Sequence, residues 1–192
     1  MVGNKLKEQL QGIRFEVIDL NQAAYFFIRK MNRFEYILQK TSREFVLEEL
    51  YALRYLENGL ILHLTKLDDD NSIFSFRAVL KELNRSSDNP AFLKLMTKML
   101  KDFRQKINKI KIKHRNARIA HITTLEYPNL DEFLDFNNYL KPLIEFANTI
   151  ADAFLGEQIQ NKFKLGTMEG TLDFRESFKS LRMDLSSNKD FS

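Results

Sequence analysis

The fold is decided by a long amphipathic stretch near the start of the chain, residues 5–40, which read KLKEQLQGIRFEVIDLNQAAYFFIRKMNRFEYILQK. Apolar residues recur in it at alternating spacings of four and three: Leu6, Leu10, Ile13, Val17, Leu20, Ala24, Phe27, Met31, Phe34 and Leu38. This spacing keeps the side chains on one helix face. The pattern predicts a single long helix that is packed along its whole length, with Gly12 lying off the apolar seam.

Three further segments with helical periodicity follow the first one. They are expected at about residues 43–67, at about 73–83, and from Pro90 through the basic region that follows. Either Thr41 or Ser42 can cap the first of these with its hydroxyl. The acidic turn 68–72 ends that helix. A calcium loop is one interpretation of the turn, but the glycine and distal glutamate of an EF-hand are missing, which favours a plain loop.

A last helix is expected over about residues 130–155, and Pro142 should kink or split it. Beyond Gly156 the apolar residues thin out, and only a short amphipathic piece at about 172–181 remains. The sequence therefore predicts an all-α, up-and-down helical bundle in residues 1–155. Residues 156–192 are predicted to form a C-terminal appendage, partly helical or flexible, and no strand is expected anywhere.

Composition limits the class of protein. The chain has 192 residues, only three prolines and six glycines, and no cysteine. Disulfides and cysteine-based zinc sites are thereby excluded. No apolar run reaches the length of a membrane span, and the first residues lack the apolar core of a signal peptide. These features predict a cytoplasmic protein without a membrane partner.

The positive charge of the chain is concentrated in one region. Residues 94–118 contain ten Lys or Arg residues and one acid, Asp102, so this window carries +9 while the rest of the chain sums to −5. Such segregation favours an anionic partner, and RNA is the partner predicted here. The alternative is a solvated basic helix face. The candidate RNA-binding residues are Lys106, Lys109, Lys111, Lys113, His114 and Arg118.

The basic region leads into a segment with the groups needed to cleave RNA, HRNARIAH at residues 114–121. His121 can carry a proton near neutral pH. The guanidinium of Arg115 matches phosphate oxygens, and Asn116 can hold a ribose hydroxyl or the histidine. Attack of a 2′-hydroxyl on the adjacent phosphorus needs these groups and neither a metal nor a cofactor. The candidate catalytic residues are therefore Arg115, Asn116 and His121.

The spacing of these residues favours two copies of the chain. On one continuous helix, positions 115 and 121 are about 120° apart around the axis and about 9 Å apart along it. One copy would therefore converge poorly on a phosphate. A homodimer with a composite cleft would bring a second arginine and histidine into reach, and Ile112 and Ile119 offer an apolar strip for that contact.

The pattern of Arg115-Asn116 followed by His121 resembles the R-x(4–6)-H motif of the HEPN superfamily, and RNARIAH is similar to its abortive-infection, AbiU-like branch. The stretch LHLTKLDDDNS at residues 62–72 is similar to a helix end and acidic turn of that branch. The resemblance covers about residues 5–155. It implies a helical bundle that dimerises, and a metal-independent endoribonuclease of toxin–antitoxin or phage-defence systems, with an antitoxin protein as a further partner. In some HEPN toxins a modified tyrosine stands two residues after the histidine, where this chain has Thr123.

Alternatives remain open at this point. His121 lies on the apolar seam, so it is either an active-site residue or a buried structural histidine. His114 is either a second histidine of the site, a structural residue or an RNA contact. The chain as a whole is an RNA-cleaving toxin or defence effector, a catalytically inactive HEPN-like protein that binds RNA or a protein partner, or a structural helical protein.

Overall fold

The computed structural model describes residues 2–112 and 133–176. Its helices are α1 (Val2–Lys40), α2 (Arg43–Leu67), α3 (Phe76–Ser86), α4 (Pro90–Ile110) and α5 (Lys141–Leu155), and a π-helical turn (Phe136–Leu140) precedes α5. Two strands follow, β1 (Asn161–Leu165) and β2 (Met168–Leu172). The helices enclose one cluster of buried apolar side chains, which confirms the all-α helical bundle. Within these ranges, no helix is both long and apolar enough to cross a membrane.

Helix α1 follows the predicted seam over most of its length. Its fully buried residues include Ile13, Val17, Leu20, Ala24 and Phe27. The seam shifts at the end of the helix, where Leu38 is 45% exposed and Ile37 only 9% exposed. A strict seven-residue repeat lags by about 20° per heptad around a straight helix, so Leu38 is rotated by about 80° from Leu10, four heptads earlier. The prediction of an inward Leu38 is therefore wrong.

Side-chain caps set the starts of the next three helices. Ser42 accepts a hydrogen bond from the amide three residues later at 3.3 Å, which confirms the predicted start of α2. Asn89 does the same at 3.1 Å for α4. Helix α3 begins at Phe76, later than predicted, because Ser75 caps it at 3.2 Å and leaves Ile73 exposed before the helix.

The helix predicted over residues 130–155 is described from residue 133 onward and has two parts. The π-helical turn gives way to α5 at Lys141, one residue before Pro142, which has no N–H to continue the hydrogen-bond ladder. This agrees with the predicted split. Helix α5 is tied to α1 by a buried pair of carboxamides, because Asn21 and Asn148 exchange hydrogen bonds of 2.8 and 2.9 Å.

The prediction of no strand is wrong for the region after α5. Strands β1 and β2 pair antiparallel, with Lys162 opposite Thr171, around a two-residue loop. Gly166 opens that loop at φ 61°, a left-handed conformation that glycine adopts without steric cost. After the hairpin, Arg175 is buried and donates to both oxygens of Asp152 on α5 at 2.7 and 2.9 Å. This part of the predicted appendage therefore docks on the bundle, and residues 177–192 lie outside the described chain.

Gly12 has a packing role that the sequence did not reveal. A Cβ at this position would lie 2.2 Å from Cδ1 and 2.5 Å from Cγ of the Phe74 ring. Gly59, in α2, offers a matched comparison because nothing lies within 4 Å of its added Cβ. The ring of Phe74 thus occupies the space that a glycine leaves open on α1.

We expect Gly12→Ala and Gly59→Ala to shift the free energy of unfolding in opposite directions. Gly12→Ala should lower it by about 1–2 kcal/mol, because overpacking outweighs the gain in helix propensity. Gly59→Ala should raise it by up to about 1 kcal/mol, since only the propensity gain applies. Urea denaturation measures both changes. A stabilised Gly12→Ala variant would show that Phe74 moves aside freely.

Candidate functional site

The predicted catalytic residues Arg115, Asn116 and His121 lie outside the described residues. The same holds for Lys113, His114 and Arg118 of the predicted RNA-binding set, and for Ile119. The described chain stops at Ile112 and resumes at Phe133. The structure describes the residues that flank the segment 113–132 on either side, and it describes the basic face of α4.

Before this segment, the chain is held by a buried carboxylate, Asp68, at the C-terminal end of α2. Asp68 is 1% exposed. It accepts a hydrogen bond of 2.6 Å from Lys111 Nζ, and Arg104 Nε lies 3.1 Å from each of its oxygens. Arg77 Nε of α3 approaches it to 3.6 Å. One carboxylate therefore holds α3 and the end of α4 against α2.

The acidic turn after α2 is occupied by the protein's own cations. Arg104 donates to Asp70 at 2.9 Å, and Arg77 reaches Asp70 at 3.2 Å. The hydrogen bond from Arg104, and the positive charges around it, hold the pKa of Asp70 below its usual range. Among the described residues, no group of three or more His, Cys, Asp or Glu side chains is placed so that it could hold a metal ion. These contacts favour the plain-loop interpretation of residues 68–72 over a calcium loop.

After the segment, the chain is held by a second buried carboxylate of α2, Glu57, which is 1% exposed. Glu57 accepts hydrogen bonds from the backbone N–H of Leu134 at 2.5 Å and from Arg54 at 2.6 Å. The guanidinium of Arg54 also lies 4.7 Å from the ring centroid of Phe133. These contacts therefore fix the chain to α2 at Leu134.

The two carboxylate anchors, Asp68 and Glu57, lie on the same face of α2. Glu57 and Asp68 are separated by three turns of α2, which corresponds to about 20° around the axis and about 16 Å along it. The two described ends of the chain, at Lys111 and Leu134, are thus held by one rigid element. We conclude that α2 carries the fixed ends of the segment that contains Arg115, Asn116 and His121.

The sequence contained a signal for Glu57 that the prediction missed. Glu57 occupies a core position in the apolar stripe of α2, between Leu53 and Leu60, which are both fully buried. A buried acid needs a partner, because an unpaired charge away from water is strongly unfavourable. An acid on an apolar stripe therefore predicts a polar anchor, although only the structure identifies Leu134 as its partner.

Helix α4 exposes a row of lysines on its outer face. The row consists of Lys94, Lys98, Lys101 and Lys109, all exposed and without an ion pair to another described residue. Their spacing keeps them within about 80° around the helix and spreads them over about 22 Å. Lys106 is exposed beside the row, with Nζ 5.3 Å from the Phe146 ring centroid. Lys111 differs, because its ammonium is bound to Asp68 and its side chain is 19% exposed.

A third buried carboxylate, Glu16, joins α1 to α2. Glu16 is 6% exposed, His63 Nδ1 donates to it at 2.7 Å, and Lys66 Nζ donates to its other oxygen. Burial raises the pKa of Glu16, but the hydrogen bonds and charges of His63 and Lys66 outweigh burial and hold the pKa below its usual value. Glu16 therefore stabilises the fold in its ionised form.

We expect this stabilisation to disappear in acid. A depressed folded-state pKa contributes stability above the unfolded value of about 4.3, and that contribution is lost as the pH falls through the folded-state pKa. The difference in free energy of unfolding between wild type and Glu16→Gln should shrink as the pH is lowered from about 5 to about 3. Glu8→Gln, at an exposed glutamate of the same helix, is the matched control. A constant difference for Glu16→Gln across this range would contradict the assignment.

Comparison with protein-family models, with curated proteins and with solved structures finds no match to this chain. Its function is therefore argued from its own residues. The residues that bear on it are the motif at 115–121, the two anchors on α2 and the basic face of α4.

Proposed function

We propose that this protein is a metal-independent endoribonuclease of the HEPN type that acts as a toxin or phage-defence effector. The observation that carries the proposal is the motif Arg115-Asn116 followed by His121, placed directly after the most basic helix of the chain. The resemblance of residues 62–72 and of the motif to AbiU-like proteins supports the same family. The helical bundle is the fold that the proposed family requires.

The proposed reaction is an internal transfer at phosphorus. The ribose 2′-oxygen forms a bond to the adjacent phosphorus as it loses its proton, and the bond from phosphorus to the 5′-oxygen breaks. His121 moves a proton in this exchange, and the leaving 5′-oxygen is protonated. Arg115 stabilises the charge on the phosphorane, and Asn116 orients a ribose hydroxyl or the histidine. The products are a 2′,3′-cyclic phosphate and a 5′-hydroxyl.

The proposed active form is a homodimer with a composite cleft. The helical separation of positions 115 and 121, about 120° around an axis, motivates a second copy that supplies the missing partner. Ile112, the last described residue before the motif, is 70% exposed, as expected for a residue of the apolar strip at such a contact. An antitoxin protein is a further proposed partner, because the family functions in toxin–antitoxin systems.

The basic face of α4 supports a second candidate, in which the protein binds RNA without cleaving it. The exposed lysines of α4 attract phosphates whether or not His121 acts on them. In this case the chain would be a catalytically inactive HEPN-like protein that binds RNA or a protein partner. The lysines alone therefore do not distinguish a nuclease from a binding protein.

Cleavage assays in EDTA separate the two candidates. The purified protein is incubated with RNA and with DNA of the same sequence, and both are analysed on denaturing gels. We expect cleavage of RNA only, because DNA lacks the 2′-hydroxyl that attacks phosphorus. Binding of RNA without cleavage would support the inactive alternative. Equal cleavage of DNA would contradict 2′-hydroxyl attack.

A further inference from the structure

A basic groove lies between α3 and α4, where residues of α3 that the sequence did not single out meet the basic helix α4. Its volume is about 590 Å³. The residues that line it are Arg77, Leu80, Lys81, Asn84, Arg85, Thr97, Leu100 and Lys101. Four of these are basic and none is acidic. Leu80 and Leu100 supply apolar surface, so the groove combines an apolar part with cationic side chains.

Three of its cations are available to a ligand. Lys81 and Lys101 are exposed and make no ion pair with another described residue. Arg85 is 58% exposed, and its one ion pair within residues 2–112 and 133–176 is with Glu82, at 3.6 Å. Arg77 is bound to the acidic turn by Asp68 and Asp70, so it borders the groove without being free. Positions 77, 81 and 85 are successive i, i+4 neighbours, which explains why α3 presents them as one row.

The groove is continuous with the lysine row of α4. Lys101 belongs to both, and Lys98 and Lys94 stand one and two turns before it on the same helix face. From Lys101 the helix runs about 16 Å along its axis to Ile112, beyond which the motif follows. A cationic surface therefore extends from the groove toward the segment that carries the proposed catalytic residues.

We propose that the groove binds the phosphodiester backbone of the RNA substrate at a distance from the cleaved bond. The choice of RNA rests on the proposed function, whereas the need for a chain of phosphates follows from the row of cations. The guanidinium of Arg85 fits two phosphate oxygens, and the ammonium groups of Lys81 and Lys101 act as point charges.

Binding of an uncleavable RNA tests this proposal without reference to catalysis. The probe is a fluorescent 2′-O-methyl RNA of about 16 nucleotides, titrated by anisotropy between about 50 and about 200 mM salt. The groove variant is Lys81→Ala/Arg85→Ala/Lys101→Ala in the full chain. The control variant is Lys7→Ala/Lys40→Ala/Lys162→Ala, which removes the same charge from exposed lysines elsewhere. Circular dichroism verifies that both variants are folded.

We expect the groove variant to bind at least about 10-fold more weakly and to reduce the salt slope by about 2, since each lost phosphate contact contributes about 0.7 for a single strand. The control variant should change the affinity by less than about 3-fold, because none of its three lysines lines the groove.

Three results would overturn the proposal. The first is an equal loss of affinity and slope in the groove and control variants. The second is wild-type protein that does not bind the RNA. The third is polyglutamate that binds the wild type more tightly than the RNA does at matched charge concentration and loses this binding in the groove variant, which would assign the groove to an acidic protein. RNA bound through the groove but never cleaved would support this proposal and refute the nuclease.

Discussion

His121→Ala is expected to lower the rate of RNA cleavage by about 10²–10⁴-fold while the helical content stays unchanged, because a positioned acid–base group typically contributes that much. Arg115→Ala should cause a loss of similar size, since it removes the charge that stabilises the phosphorane. Initial rates in EDTA, with circular dichroism of each variant, measure these effects. Asn116→Ala should fall between these variants and the wild type, because it positions groups without carrying charge.

Lys106→Ala provides the contrast within the same basic region. Its ammonium is exposed beside Phe146, so it should weaken RNA binding modestly and lower the salt dependence without abolishing cleavage. A His121→Ala variant that cleaves as fast as wild type would contradict the active-site assignment. An unfolded His121→Ala variant would favour the buried-histidine interpretation, and Arg115→Ala then decides whether the motif acts in catalysis.

Mixing the two inactive variants tests the composite cleft. If Arg115 and His121 act from different copies, a heterodimer of Arg115→Ala and His121→Ala contains one intact site. We expect the mixture to regain a fraction of the wild-type rate after exchange of subunits. No recovery, with subunit exchange shown by light scattering or labelling, would contradict sharing of the site between copies.

Asp68→Ala is expected to have the largest effect on stability, lowering the free energy of unfolding by about 3 kcal/mol. Asp68 is 1% exposed, and its loss leaves Lys111 without its hydrogen-bonded carboxylate and Arg104 with Asp70 alone. Removal of one member of a buried ion pair costs about 3–5 kcal/mol, and the partial exposure of both partners favours the lower end. Urea denaturation measures the change as a shift of the midpoint at unchanged slope.

Two neighbouring substitutions make this prediction specific. Asp69→Ala removes a carboxylate whose one hydrogen bond among the described residues is with the amide of Asn71, at 3.0 Å, and should cost less than about 1 kcal/mol. Asp68→Asn keeps the shape and one acceptor but removes the charge, so it should fall between the two alanine variants. An Asp68→Ala variant as stable as Asp69→Ala would show that this carboxylate does not hold α3 and α4 to α2.

Local patterns in the sequence were sufficient for the helices. The seam from Leu6 to Phe34 predicts α1 because apolar spacing in a helix depends on the geometry of the helix alone. The same holds for Ser42 at the start of α2, since a cap acts within three residues. The β-hairpin was missed because its two strands are only five residues each and carry too few side chains for a periodic signal.

Contacts between distant parts of the chain were not predictable from periodicity. The carboxylate of Asp68 and its partner Lys111 are separated by 43 residues, and Glu57 and Leu134 by 77. Nothing local indicates that Phe74 fills the space beside Gly12. The groove was missed for the same reason, because Lys81 and Arg85 meet Lys101 only when α3 packs on α4. The catalytic role of the motif residues is a prediction from their chemistry, and these residues lie outside the described part of the chain.

The most direct test of RNA cleavage by this chain is the chemistry of the product ends. RNA is digested by the purified protein in EDTA, and the fragments are analysed by mass spectrometry beside an equal digestion with His121→Ala. We predict fragments ending in 2′,3′-cyclic phosphate and 5′-hydroxyl, formed at least about 100-fold faster by wild type than by the variant. Fragments with 5′-phosphate ends, no fragments at all, or equal rates for both proteins would contradict the proposed function.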